Sequence, residues 1–336
     1  MTNELPSVTV LIAARPDLAD IKAVPGARQL DYPTDKLEIL IARGKQPSVQ
    51  RNAGMRAAKG EIIYFLDDDS VPKPDVLRKA AVHFRDTAVK IAGGPNLCPA
   101  DAPEVEQLFA LVHTAWLAFS SSRARYAAVG SLRATGEKEL ILCNMAARRD
   151  AMLEPGGFNE ALYPNEENAL MDELQKRGGK LLYDPEMVVF RRPRRSFKAF
   201  CRMLMTYGRG RAEQFREYPT AGSLPNFVPP LFFLYLLTLP VAWSVVLIAG
   251  WRHLGGVYSV PLLLYTLAVL LQTVALMPRG GFVRSVYALP LIVLTHILYG
   301  VGFWRGLFTH LKPPGERTNV PVTIERVLLQ DLDAAK

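Results

Sequence analysis

Three consecutive carboxylates, Asp67, Asp68 and Asp69, close an unbroken apolar run at 62–66, and Pro72 and Pro74 follow at once. Adjacent carboxylates repel and raise one another's pKa unless a cation sits among them. Hard divalent ions take oxygen ligands, often one or two carboxylates together with phosphate oxygens. A solvated acidic turn, or a cap for the helix opening near Asp75, has the same composition. The buried strand leading into the triplet shifts the balance toward a cation site. A second acidic pair, Glu166 and Glu167, opens a helix expected to run to about 177, where Gly178 and Gly179 stop it. The helix dipole by itself favours acids at that end.

The elements that must position these groups can be read from apolar patterning. Strands are expected at 7–14, 36–42, 62–66, 89–93 and 140–147, with short strands at 180–183 and 187–190. Between them lie a short helix at best before residue 36, then helices ending near Gly60, at 76–84 and at 104–121. Strands alternating with helices imply parallel β-α-β units, so the fold class is α/β. Ligands of such sheets bind beyond the carboxyl ends of the strands, where Asp67 to Asp69 fall.

The 336 residues carry a net charge of +8, which suits anionic partners: phosphates or anionic lipid. Nucleic acid is set aside, because the chain shows no recognised binding motif and its basic cluster abuts an apolar region. Cys98, Cys143 and Cys201 are odd in number and widely spaced, as reduced buried thiols are. Residues 1–6 contain Glu4 and no basic run, unlike a cleaved signal peptide. Residues 191–216 hold Arg191, Arg192, Arg194, Arg195, Lys198, Arg202, Arg209, Arg211 and Arg216 against Glu213 alone. Phe197, Phe200, Met203, Leu204 and Tyr207 give that stretch an apolar face at helical spacing, the pattern of an interfacial helix.

Three apolar segments follow, at 227–248, 257–277 and 286–304, each near the roughly 20 residues that span a bilayer. Arg252, His253, Arg279 and Arg284 lie in the connections, and Trp243, Trp251, Tyr258, Tyr287 and Trp304 near the ends, as interface aromatics do. Pro229, Pro230 and Pro240 make the first segment a candidate for a re-entrant one. The positive-inside tendency puts the basic N-terminal region in the cytoplasm. Three spans would send the tail, with Arg305, Lys312, Arg317 and Arg326, to the far side, against that tendency. Two spans and one interfacial segment satisfy it. The expected organisation is a catalytic domain at 1–190, a basic interfacial segment at 191–222, a membrane region at 223–306 and a tail at 307–336.

The order of these features carries a resemblance. A first buried strand, Gln50-Arg51-Asn52-Ala53-Gly54, Gly60 leading into the aspartates, Gly156-Gly157-Phe158-Asn159-Glu160, Glu166-Glu167, Tyr207-Gly208-Arg209-Gly210-Arg211 and then apolar helices resemble family 2 glycosyltransferases. That family has the GT-A fold, a Rossmann-like, mostly parallel sheet with flanking helices, and the likeness is to its membrane-bound bacterial members of exopolysaccharide and cell-envelope glycan synthesis. The resemblance implies that Asp67 and Asp69 hold a divalent cation, Mg²⁺ or Mn²⁺, on the donor's diphosphate, with Asp69 as the first choice. It implies Glu167 as the general base, with Glu166 in reserve. Ala13, Ala14, Arg15, Arg51, Asn52, Asp67 and Asp68 would line the nucleotide-sugar pocket; for Arg51, pairing with an aspartate is the alternative. Arg191, Tyr207, Arg209 and Arg211 would meet the diphosphate or the acceptor.

The implied activity is inverting transfer of one sugar from a nucleotide-sugar, UDP-sugar by default, to a lipid-linked saccharide at the cytoplasmic face of the inner membrane. Transfer directly to a polyprenyl phosphate, or a non-catalytic membrane-anchored scaffold that binds nucleotide-sugar or lipid, are the alternatives. Two departures bear on this. The second strand ends Ala42-Arg43-Gly44-Lys45, where relatives carry acids that read the base. The arginine-tryptophan signature of processive synthases is also missing, which favours addition of a single sugar.

Overall fold

In a computed structural model of the chain, residues 4–162, 165–250, 252–310 and 321–329 are described; Trp251, Lys312 and Arg317, singled out above, lie outside them. The chain runs β1 (Val8–Ala14), α1 (Ala23–Arg28), β2 (Leu37–Arg43), α2 (Pro47–Ala57), β3 (Ile62–Asp67), β4 (Val71–Pro72), α3 (Val76–His83), β5 (Val89–Gly93) and β6 (Asn96–Leu97). It continues with α4 (Glu104–His113), α5 (Trp116–Phe119), β7 (Arg133–Ala134), β8 (Met145–Arg148), α6 (Arg149–Leu153), α7 (Glu166–Lys176), β9 (Lys180–Tyr183) and β10 (Val189–Phe190). Helices α8 (Phe197–Glu217), α9 (Val228–Ala249) and α10 (Arg252–Phe308) precede a last strand, β11 (Thr323–Val327). Two compact units result: Met1–Asp101 with Ser121–Arg192 and Leu311–Lys336, and Ala102–Ser120 with Pro193–His310.

The first unit is built on an eight-stranded sheet in the order β11-β2-β1-β3-β8-β5-β9-β7, beside a small sheet β4-β10-β6. Strands β2, β1 and β3 pair in parallel, as do β5 and β9; β8 and the edge strands β11 and β7 run antiparallel. The sheet is α/β because both its faces are apolar. Val10, Ile12 and Ala14 of β1 pack with Ala23 and Ala27 of α1 and Val76, Leu77 and Ala80 of α3. On the other face Leu11, Ile63 and Phe65 meet Met55 of α2 and Leu170, Met171 and Leu174 of α7. Each Val, Leu, Ile, Phe or Met among them contributes about 1.5–3 kcal/mol when fully buried.

Two elements differ from the sequence expectation. The strand expected at 140–147 begins only at Met145, after a 3-10 turn over Leu142–Asn144. The reason is Asn144, fully buried, whose amide donates to the carbonyls of Pro95 (3.0 Å) and Met187 (2.7 Å) and accepts from Tyr64 Oη (2.8 Å). An amide with three buried partners holds its backbone out of the ladder. The tail, where no strand is expected, contributes β11, with Thr323 opposite Arg43 and Val327 opposite Ile39.

The second unit is helical, and α4 and α5, from within the range expected for the catalytic domain, belong to it. Tyr265 Oη lies 2.8 Å from His296 Nδ1, whereas 31 residues of straight helix would separate them by about 46 Å. α10 therefore folds back on itself, at Gly281, whose φ of 69° and ψ of 173° suit glycine. Its two arms are the second and third apolar segments of the sequence. The helical stretches Gly222–Ala249 and His253–Phe308 are each long and apolar enough to cross a membrane. Leu231, Leu237 and Val241 of α9 and Leu263, Leu264 and Leu271 of the first α10 arm are exposed. The second arm buries Leu291, Ile292 and Phe303. α8 lies directly on it: a Cβ on Gly208 would meet the Tyr299 carbonyl, and one on Gly302 that of Met205. Of the apolar face read from its patterning, α8 buries Phe200, Met203 and Leu204, half-buries Tyr207 and leaves Phe197 exposed beside Arg202.

Candidate active site

The site is assembled where β2, β1 and β3 end together. The parallel register sets Ala13 beside Ala42 on one side and Asp67 on the other. Buried Gln50 of α2 stitches this rim, its Nε2 donating to the carbonyls of Ala14 (2.7 Å) and Ala42 (2.6 Å). Ala13 is half-buried, Ala14 buried and Arg15 exposed. Arg43, ending β2, donates to the carbonyls of Leu18 (2.8 Å) and Arg15 (3.3 Å) and pairs with Glu325 of β11 at 2.6 Å. An acid thus stands at the end of β2 after all, delivered by the tail.

From β3 the chain turns at once, with Ser70 N donating to the Asp67 carbonyl at 3.1 Å. Asp67, Asp68 and Asp69 are all partly exposed. Burial raises the Asp68 carboxyl's pKa, and the charges of Asp69 and Asp67 raise it further. Two guanidinium groups span the cluster. Arg51, on α2, pairs with Asp67 Oδ1 at 3.2 Å and with Glu166 Oε1 at 2.8 Å. Arg191, just after β10, pairs with Asp67 Oδ2 at 2.8 Å and Asp69 Oδ1 at 2.6 Å. The antiparallel pairing of Phe190 with Val71 carries Arg191 back over the acidic turn. A continuous ionic chain results: Glu166, Arg51, Asp67, Arg191, Asp69.

Glu166 and Glu167 lie in the first turn of α7, behind Asn165, whose φ of 88° is a left-handed conformation that asparagine tolerates better than most residues. Asn168 Nδ2 donates to Asn165 Oδ1 (2.8 Å), and Arg125 donates to Asn168 Oδ1 (2.7 Å), fixing that entry. Glu166 is buried, and its Oε2 has no hydrogen-bond partner among the described residues. Burial, with the neighbouring charge of Glu167, pushes its pKa up to about 8 even though Arg51 draws it down. Glu167 is partly exposed. Of the two, Glu167 is the more exposed.

Asn52 is buried and clamps the Gly156-Gly157-Phe158 loop, accepting from Phe158 N (2.8 Å) and donating to Phe158 O (2.9 Å) and Glu160 Oε1 (2.9 Å). Tyr207, Arg209 and Arg211 belong to α8 in the second unit, where Arg209 pairs with Glu213 at 3.3 Å and Arg211 donates to Gln214 at 3.2 Å. Sequence reasoning gave no role to Gln50, Asn165 or Glu325. The β-branched Val322, Thr323, Ile324 and Val327 are a strand signal for the last of these; nothing local marks the other two.

Carboxylate oxygens are the donors a hard cation takes, and Asp67 and Asp69 supply them side by side. Both oxygens of Asp67 and one of Asp69 are held by guanidinium, and among the described residues no three acids, histidines or cysteines gather to hold an ion. The chemistry of Asp67 and Asp69 is that of a divalent-cation donor set, and in this structure two arginines occupy it.

A family model described as "Glycosyltransferase like family 2" matches residues 2–205. The chain belongs to that family. A pre-mycofactocin glycosyltransferase of Mycobacterium tuberculosis, matched in two strains, is 26% identical over 202 residues; the match covers 56% of this chain and 37% of that protein. The chain therefore spans well under half the length of these glycosyltransferase relatives. A mannosyltransferase from Pyrobaculum calidifontis, solved in complex with GDP-Man and Mn²⁺, aligns over 91% of this chain and 88% of its own, with a TM-score of 0.54 at 17% identity. That likeness shows a shared GT-A fold.

Proposed function

We propose that this family 2 glycosyltransferase moves one sugar, with inversion, from a nucleoside-diphosphate sugar to a hydroxyl of a lipid-linked saccharide, in exopolysaccharide or cell-envelope glycan synthesis. The observation that carries the reading is the ionic chain from Glu166 through Arg51 and Asp67 to Asp69 at the sheet's rim. It ties the acidic turn to Glu166 of α7, the neighbour of Glu167. The acceptor oxygen forms a bond to the anomeric carbon as the bond to the diphosphate breaks, its electron pair leaving with the phosphate oxygen. The hydroxyl proton passes to Glu167, the partly exposed member of the pair. Glu166 and Arg51 hold Asp67 in place. A divalent cation bound by Asp67 and Asp69 would neutralise charge on the leaving diphosphate.

The apolar helices support attachment to a membrane, with the catalytic unit on its cytoplasmic face and a lipid-borne acceptor within reach. Residues before and after these helices meet in one sheet, since β11 pairs with β2. A chain that returns to its starting side crosses an even number of times. Three helical segments then read as two crossings and one segment that does not cross. The test is release of nucleoside diphosphate from a panel of UDP- and GDP-sugars by the full chain in membranes. Wild type should release product with an acceptor extract, and Glu167→Gln should keep donor binding while losing about 10²–10⁴-fold in transfer. Full activity in that variant would pass the base role to Glu166; no release from any donor would overturn the reading.

A further inference from the structure

Resting on the donor reading above, we propose that Arg191 is an exchangeable counter-cation: it fills the notch between Asp67 and Asp69 until a divalent ion and a nucleoside diphosphate arrive together. Its Nη1 and Nε take Asp67 Oδ2 at 2.8 Å and Asp69 Oδ1 at 2.6 Å, one fork across two carboxylates. A divalent ion seated between Asp67 and Asp69 would compete with Arg191 for those oxygens, and the charge of the guanidinium would repel it.

The two arginines of the cluster are not equivalent. Arg51 is the inner one, 11% exposed, locked between Asp67 and a Glu166 side chain that is 3% exposed. Arg191 is the more exposed, at 23%, with its outer partner Asp69 at 43%, while its inner side meets the buried Cys143 thiol. Its backbone N–H is anchored to the Leu97 carbonyl at 3.0 Å, so the side chain can leave without moving the strand. A guanidinium released from two carboxylates suits phosphate oxygens, which present the same paired acceptors. Cation and diphosphate then favour each other: the cation frees Arg191, and the diphosphate gives the freed charge a partner. Linkage requires that this preference be reciprocal.

The experiment is calorimetric titration of the full-length protein in detergent with Mn²⁺ alone, with UDP and GDP alone, and with each nucleotide in the presence of Mn²⁺. Wild type should bind Mn²⁺ weakly by itself and about tenfold or more tightly when nucleotide is saturating. Arg191→Gln should bind Mn²⁺ alone about tenfold more tightly than wild type, and the coupling to nucleotide should collapse. Arg191→Lys, a point charge that cannot fork across both acids, should fall between. Equal Mn²⁺ affinity in wild type and Arg191→Gln would overturn the exchange while leaving nucleotide binding intact. So would tight Mn²⁺ binding by wild type without nucleotide, a result that holds even if the variants fail to fold. Nucleotide binding that ignores Mn²⁺ also overturns it. Absence of nucleotide binding under every condition would overturn the donor reading itself.

Discussion

Replacing Glu166 with glutamine should reverse the sign of a stability difference as pH rises. The carboxyl is buried, its pKa is pushed up to about 8 from an ordinary 4.5, and among the described residues its ion pair is with Arg51. A raised pKa in the folded state means that folding holds a proton the unfolded chain releases. Stability is therefore complete below about pH 4.5 and is lost progressively toward pH 8, at about 1.4 kcal/mol per pH unit. By pH 7 the wild-type carboxyl should cost about 3 kcal/mol relative to pH 4.5. Glutamine keeps an oxygen for Arg51 but places an amide N–H where Oε2 has no partner, a pH-independent penalty of about 1–3 kcal/mol. Near pH 5 the variant should melt at or below the wild-type temperature. Near pH 8 it should melt several degrees above, at about 2–4 °C per kcal/mol. Thermal unfolding of the full chain in detergent from pH 5 to pH 9, followed by near-UV circular dichroism, measures both curves. Parallel curves with no crossing would refute the claim that Glu166 is buried at an ionisation cost.

The other expectations are narrower. Asp69→Ala should abolish Mn²⁺-dependent nucleotide binding in calorimetry while leaving the melting temperature within a few degrees, since Asp69 is partly exposed and pairs, among the described residues, with Arg191; retained metal-dependent binding removes Asp69 from the site. Gly157→Ala should destabilise by about 3 kcal/mol, because its Cβ would lie 2.5 Å from Asn52 Oδ1 at a φ of +85°. Gly156→Ala, at φ +98° with open space, should cost only about 1–2 kcal/mol, and equal melting temperatures for the two would deny the Asn52 clamp its role. A fluorescent protein fused after Lys336 should fluoresce on the cytoplasmic side, because β11 pairs with β2; a far-side signal would exclude an even number of crossings.

Much of this protein was legible in its residue order, for a physical reason that differs by element. Runs such as Val8–Ala14 and Ile62–Asp67 are apolar on both faces, and only a doubly covered strand tolerates that. The apolar length of α9 and of each α10 arm is set by composition alone, as is the basic face of α8. The place of the aspartates followed from their position after a buried strand. Tertiary structure decided what distance along the chain conceals. Arg51 meets Glu166 across 115 residues, Arg191 meets Asp69 across 122, and Glu325 meets Arg43 across 282. Local patterning records what a segment buries, whereas an ion pair between remote segments depends on the whole sheet's register. Which glutamate is buried, which arginine is the more exposed and where the tail returns were therefore settled only when the strands were laid side by side.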